Sequence, residues 1–165
     1  MALLKILVFP DPRLRTLAEP IMDFDDSLKK LSEDMLETMY EGSGIGLAAT
    51  QVNVHKRIIV VDISEEKNSP LILVNPTLKK IINPEKKSYS EGCLSVPGFY
   101  EELLRPSSVE INASSVNGDE VNIVTEGLLS VVIQHEMDHL EGKMMVDFIS
   151  NIKREMIRKK LLKSK

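Results

Sequence analysis

The chain has 165 residues, 42% hydrophobic and 28% charged, with a net charge of −4 and one cysteine. That length predicts one domain over 1–165 with a real core, in the composition range of soluble globular proteins. An intrachain disulfide is excluded, no apolar run reaches the roughly 18 residues of a membrane span, and the acidic balance argues against a general nucleic-acid binder. With a lone thiol, a reducing cytoplasmic location is the expectation.

The opening MALLKILVFPDPRLR is briefly apolar, but Lys5 interrupts it and Pro10 ends it. It lacks the basic start and small-residue cleavage site of a leader, so a packed N-terminal segment is expected. Residues 25–42, DDSLKKLSEDMLETMYEG, repeat Leu28, Leu31, Met35 and Met39 at helical spacing behind Asp and Ser caps, with Gly42 near the stop. In GIGLAATQ (44–51), Gly44 and Gly46 would let a backbone edge approach a peptide, and Gln51 carries an uncharged N–H₂ donor. Taken alone, the segment also fits an ordinary glycine turn.

RIIVVDI (57–63) and LILVNP (71–76) are short and β-branched, which predicts strands. SVEINASS and EVNIVTE flank Asn117-Gly118, a pair suited to a type I′ turn, so an antiparallel hairpin is expected. Leu128, Leu129, Val131, Val132, Ile133, Met137 and Leu140 then place apolar residues on most sides of a helix between Gly127 and Gly142. A basic helix over about 151–163 ends the chain. The fold class that follows is α+β: antiparallel strands wrapped around a central buried helix, with a C-terminal helix.

The central helix carries VVIQHEMDHLEG (131–142). In a helix His135 and His139 lie one turn apart, so both imidazoles can reach one ion, with Glu136 beside its open side. Two histidines, Glu136 and Asp138 would be a heavy desolvation load in a buried helix without partners. Catalytic sites of this kind use three protein ligands. The downstream histidine of H-E-x-x-H-x-x-G-x-x-H is replaced by Met145, and no carboxylate follows Glu155, so the third ligand must come from upstream. His55 is available; Cys93, in EGCLSVPG, is stronger because a thiolate binds such metals well.

Three motifs in order, GIGLAATQ, EGCLS (91–95) and QHEMDH (134–139), make the sequence resemble the peptide deformylase family of bacteria and organelles along nearly its whole length. The resemblance implies one divalent metal on Cys93, His135 and His139: Fe(II) in the cell, replaceable by Zn(II), Ni(II) or Co(II). It implies Glu136 as general base and acid, with the Gln51 side chain and the Leu94 backbone N–H as oxyanion donors. Ile45, Leu128, Val131 and Val132 would line a methionine pocket, and Ile45, Gly46 and Gly92 would offer backbone groups to an extended substrate.

The implied reaction is hydrolysis of the N-formyl group from the N-terminal formylmethionine of new proteins by metal-activated water, releasing formate. A monomer without membrane or sequence-specific nucleic-acid partners is expected. Residues 98–104 match no fixed motif, and Arg105 is expected either to pair with Glu91 or Asp138 or to lie on the surface. Lys153, Arg154, Arg158, Lys159, Lys160, Lys163 and Lys165, seven of the 21 basic residues, fall in the last 16 positions. They form either a plain solvated face or, as in some bacterial relatives, a ribosome-docking helix. Two rival functions stand beside the main one: an H-E-x-x-H endopeptidase, and a structural metal module closed by His55 as a fourth ligand.

Overall fold

The computed structural model describes residues 2–164 and is α+β. Asp25 caps helix α1 (Asp26–Glu41), its carboxylate accepting the Leu28 N–H at 3.1 Å. Leu28, Met35 and Met39 form the buried stripe of α1. Gly42 sits at the C-cap as expected, but the left-handed residue is Ser43, at φ 56°.

Five antiparallel strands follow in sheet order β1 (Gly46–Ala48), β2 (Ile58–Val61), β3 (Leu71–Cys93), β4 (Val96–Ser114), β5 (Glu120–Glu126). All four residues of β2 are buried because helices cover both faces. Ile58 and Val60 join Met35 and Met39 of α1, whereas Ile59 and Val61 join Val132, Ile133 and Leu140 of α2 (Gly127–Leu140). The unbroken apolar run IIVV is what a doubly covered strand requires.

The strand expected over 71–76 is the first part of β3, which runs on to Cys93. Only its opening residues pair with β2; beyond Thr77 its partner is β4 alone. On β4, Leu103, Arg105, Ser107, Val109 and Ile111 alternate inward. The expected hairpin forms, but its turn is not type I′. Gly118 donates to the Ser115 carbonyl at 3.0 Å, Ser115 donates to Asp119, and only Gly118 takes positive φ, at 88°. The loop is one that needs a left-handed residue at a single place, which glycine fills.

Helix α3 (Asn151–Lys163) is capped by Ser150 and buries Ile157 and Leu161 in a third cluster with Leu7, Phe9, Val96, Leu103 and Met145. Leu7 and Phe9 thus make the N-terminal segment part of the core. No helix among the described residues is long and apolar enough to cross a membrane.

Candidate metal centre

Helix α2 begins after Glu126 and crosses behind β1, β2 and β4, so His135, Glu136 and His139 are all buried. Cys93 is brought to them by the end of β3, where the chain turns tightly back into β4 through Leu94 and Ser95. The Cys93 Sγ stands 3.4 Å from His139 Nε2, which stands 3.3 Å from His135 Nε2. These three atoms lie within 4.8 Å of one another. In a tetrahedral site, nitrogens at about 2.05 Å from an ion stand about 3.3 Å apart, and a sulfur at about 2.3 Å stands about 3.6 Å from each. The donor set and its spacings fit a divalent metal.

Protonation chemistry agrees. His135 Nδ1 meets Glu91 Oε1 at 2.9 Å, so a neutral ring donates there and leaves the Nε2 lone pair facing its neighbours. Burial, then the charge of His135, holds His139 well below the usual imidazole range and therefore neutral. Burial also opposes charge on His135, but Glu136, Cys93 and Glu91 outweigh it and raise that ring well above its ordinary value. A metal on Nε2 would take the place of the added proton, leaving His135 neutral with its Nδ1–H on Glu91.

Arg105 is not a surface residue. Its Nε and Nη2 donate to the two oxygens of Glu91 at 2.5 and 2.9 Å, and Nη1 donates to Asp138 at 2.9 Å. Burial would raise the Glu91 carboxyl, yet His135 and Arg105 hold it below the usual range. Glu91 therefore remains a carboxylate and orients His135. Glu91 and Asp138, each expected as an acid partner of Arg105, bind it together. The Glu91–His135 bond was not expected from the sequence, although residues two apart on a strand share a face, which puts Glu91 beside Cys93.

Glu136 has a different environment. Its Oε1 is buried with no hydrogen-bond partner among the described residues, and burial pushes its pKa up to about 7. It faces a cavity of about 460 Å³ whose lining includes Ile45, Gly46, Gly92, Leu94, Val131 and Val132. Cys93, His135 and Leu128 also line it, so ten of the twelve residues to which the resemblance gives a role meet at one place; Gln51 and His139 lie behind that wall. Gln51 Nε2 nevertheless reaches Cys93 Sγ at 3.5 Å. A β-carbon at Gly46 would lie 2.5 Å from Glu136 Oε2 and 2.7 Å from Val132 Cγ1, so only glycine lets β1 come this close to α2.

Phe99 and Tyr100 complete one wall, from the segment that matched no motif. The Tyr100 ring covers Gly92, where a β-carbon would meet its Cε1 at 2.5 Å. His55 stays apart: its Nε2 lies 3.0 Å from Asn53 Oδ1, and it does not belong to the one group of potential ligands found among the described residues.

The sequence model described as polypeptide deformylase matches residues 3–155. A relative named peptide deformylase 1, from Pseudomonas syringae pv. tomato, is 55% identical over 163 residues, covering 99% of this chain and 96% of that protein. The peptide deformylase of Azotobacter vinelandii is 57% identical, with the same coverage of both chains. Among solved structures, the peptide deformylase of Legionella pneumophila superposes with TM-score 0.93 at 44% identity, over 98% of this chain and 95% of that one. The actinonin complex of the Ehrlichia chaffeensis enzyme superposes with TM-score 0.96 at 38% identity, over 100% and 99%. Likeness of this extent, in sequence and in backbone alike, means that the chain belongs to the polypeptide deformylase family and is a metal-dependent deformylase.

Proposed function

We propose that this chain removes the N-formyl group from the N-terminal formylmethionine of newly made proteins, releasing formate and a free α-amine. The observation that carries the reading is the convergence of Cys93 Sγ with two imidazole Nε2 atoms, beside a buried carboxyl with a pKa near 7. Cys93, His135 and His139 would hold a divalent ion, Fe(II) in the cell, with Zn(II), Ni(II) or Co(II) as replacements. When bound, the ion supplies Lewis acidity, polarising the formyl carbonyl and acidifying water.

Glu136 takes the proton of the attacking water while the water oxygen bonds to the formyl carbon. A group titrating near neutrality is suited to accept that proton and then to release it. It passes the proton to the nitrogen as the C–N bond breaks, so the amine departs neutral. Gln51 Nε2 and the Leu94 backbone N–H donate to the formyl oxygen as it gains charge. Ile45, Leu128, Val131 and Val132 receive the methionine side chain, and the backbones of Ile45, Gly46 and Gly92 hold the peptide extended between β1 and the end of β3.

Formate release from formyl-Met-Ala-Ser, set against cleavage of an internal peptide bond, tests the reading. Formate alone is the expected product. Endopeptidase cleavage without formate would overturn it. The structural-module rival finds no support in the geometry of His55.

The setting we infer is a cytoplasmic monomer, one domain over 1–165, whose α3 docks on ribosomal RNA phosphates. Lys159, Lys160 and Lys163 are exposed on that helix, which suits an electrostatic contact. Truncation at Ser150 would confuse the test, because Ile157 and Leu161 belong to the core. Lys159→Glu with Lys163→Glu leaves both in place. Ribosome association should fall, more at low salt than at moderate salt; unchanged binding would end the docking idea.

A further inference from the structure

We propose that Ser95 is the residue that positions Gln51 for catalysis, an inference that rests on Gln51's role as an oxyanion donor. The Gln51 side chain is 1% exposed, and its amide plane is held at two points. Gln51 Oε1 accepts the backbone N–H of Ala48 at 2.9 Å, and Nε2 donates to Ser95 Oγ at 3.1 Å. A backbone N–H can only donate, so the amide atom facing Ala48 has to be the oxygen. The nitrogen is thereby turned toward Ser95 and Cys93.

That nitrogen carries two hydrogens in the amide plane. Ser95 Oγ takes one, which leaves the other directed to the Cys93 side, 3.5 Å from Sγ, where the formyl oxygen would gain charge. Ser95 is completely buried and outside the cavity lining, so its side chain meets the reaction only through Gln51. Its own place is set by the backbone. The Ser95 carbonyl accepts the Phe9 N–H at 2.8 Å, and the Gln51 carbonyl accepts the Leu7 N–H at 2.7 Å. The N-terminal segment thus ties the loop after β3 to the turn at Ala49–Val52, and Ser95 faces Gln51 across that tie.

With alanine at 95, one Gln51 N–H would be buried without an acceptor, and the amide would twist to find one. The second hydrogen would then leave the oxyanion position. Losing a whole oxyanion donor costs about 10²–10³-fold in kcat, and a displaced one should cost about tenfold.

A double-mutant cycle decides the matter, using metal-loaded parent, Ser95→Ala, Gln51→Ala and the double variant with formyl-Met-Ala-Ser. In Ser95→Ala, kcat should fall about tenfold, with KM within about twofold and metal per chain at the parent level. In the Gln51→Ala background the same change should cost less than about twofold, because Ser95 has nothing left to position. In the zinc-loaded protein, the Gln51 side-chain amide NMR signals should move in Ser95→Ala.

An equal loss in both backgrounds, a parent kcat in Ser95→Ala, or unmoved amide signals would overturn the proposal. Ser95→Cys, similar in shape but a weak acceptor, goes through the same cycle under the same criteria, so misfolding of the alanine variant would not shelter the idea. A parent rate in Gln51→Ala would instead sink the oxyanion reading itself.

Discussion

Helices α2 and α3 both carry many polar residues, and they treat them in opposite ways. In α2, His135, Glu136 and His139 are buried, and the partners that orient His135 come from other elements: Cys93 and Glu91 from β3, with Arg105 of β4 behind Glu91. In α3, the charged side chains stand mostly in water, and two apolar residues do the packing. A charge taken out of water must be matched by its surroundings, so α2 is defined by its neighbours. An exposed charge makes almost no such demand, so α3 is defined by Ile157 and Leu161.

The largest expected effects are therefore in α2 and its ligand partner. Glu136→Ala should lower kcat by about 10²–10⁴-fold while metal content stays at the parent level, because the change removes the proton shuttle and no ligand. Cys93→Ala should instead lower metal retention itself, read by metal analysis after dialysis against a weak chelator. Equal metal loss in both variants would erase the distinction between ligand and shuttle.

Next comes Arg105, which belongs to neither helix but neutralises acids of the buried site. Arg105→Ala leaves Glu91 buried with only His135 to match it, and should cost about 3–5 kcal/mol of stability in urea unfolding. It should also weaken metal retention about 10–100-fold, because Glu91 would hold His135 less firmly. Retention at the parent level would show that the link from Arg105 through Glu91 to His135 does not support the site.

How much of this was legible follows the same division. The central helix could be read because burial and ligation leave a periodic signature: an apolar surround interrupted by two histidines four apart. Cys93 could be read because the other candidates downstream were missing. The length of β3 could not, since residues 77–88 are exposed on both faces and include Lys79, Lys80, Pro84, Lys86 and Lys87. Pairing with β4 makes that stretch a strand, and pairing leaves no hydrophobic period when neither face is covered. The bonds of Ser95 to Gln51 and of Glu91 to His135 are invisible in the sequence for a related reason. Each residue acts through one partner distant in sequence, Gln51 or His135, and no local pattern encodes that meeting.

Asp62 sharpens the comparison from an intermediate position. It is 3% exposed, as buried as Glu136, yet most of its partners lie within a few residues and only Tyr40 comes from another element. The carboxylate accepts from Tyr40 Oη at 2.6 Å, from Ser64 N at 2.9 Å and from Ser69 N at 3.2 Å. Burial raises its pKa, but the bonds from Ser64, Tyr40 and the backbone prevail and leave it below the usual value; Tyr40, by burial first and then by this bond, is pushed up to about 12. A depressed folded pKa means stabilisation that is complete above the unfolded value near 3.9 and is lost as pH falls through the folded one. Asp62→Asn should accordingly cost about 1–3 kcal/mol at pH 7 in urea unfolding, and the gap from the parent should narrow below about pH 4. A gap constant down to pH 3 would show that the loss comes from shape and not from charge.

The smallest effect should be on α3. Lys159→Glu changes charge by two units on a helix whose burial depends on Ile157 and Leu161, so stability should move by less than about 0.5 kcal/mol. Formate release from a short formylated peptide should be unchanged, since Lys159 lines no part of the cavity. Ile157→Ala on the same helix, by contrast, removes a fully buried side chain from the cluster containing Leu103 and Val96, and should cost about 2–5 kcal/mol. Val96 also lines the cavity, so that loss would reach the active-site wall. If Lys159→Glu proved as damaging as Ile157→Ala, the charges of α3 would hold the helix in place, and the contrast with α2 would fail.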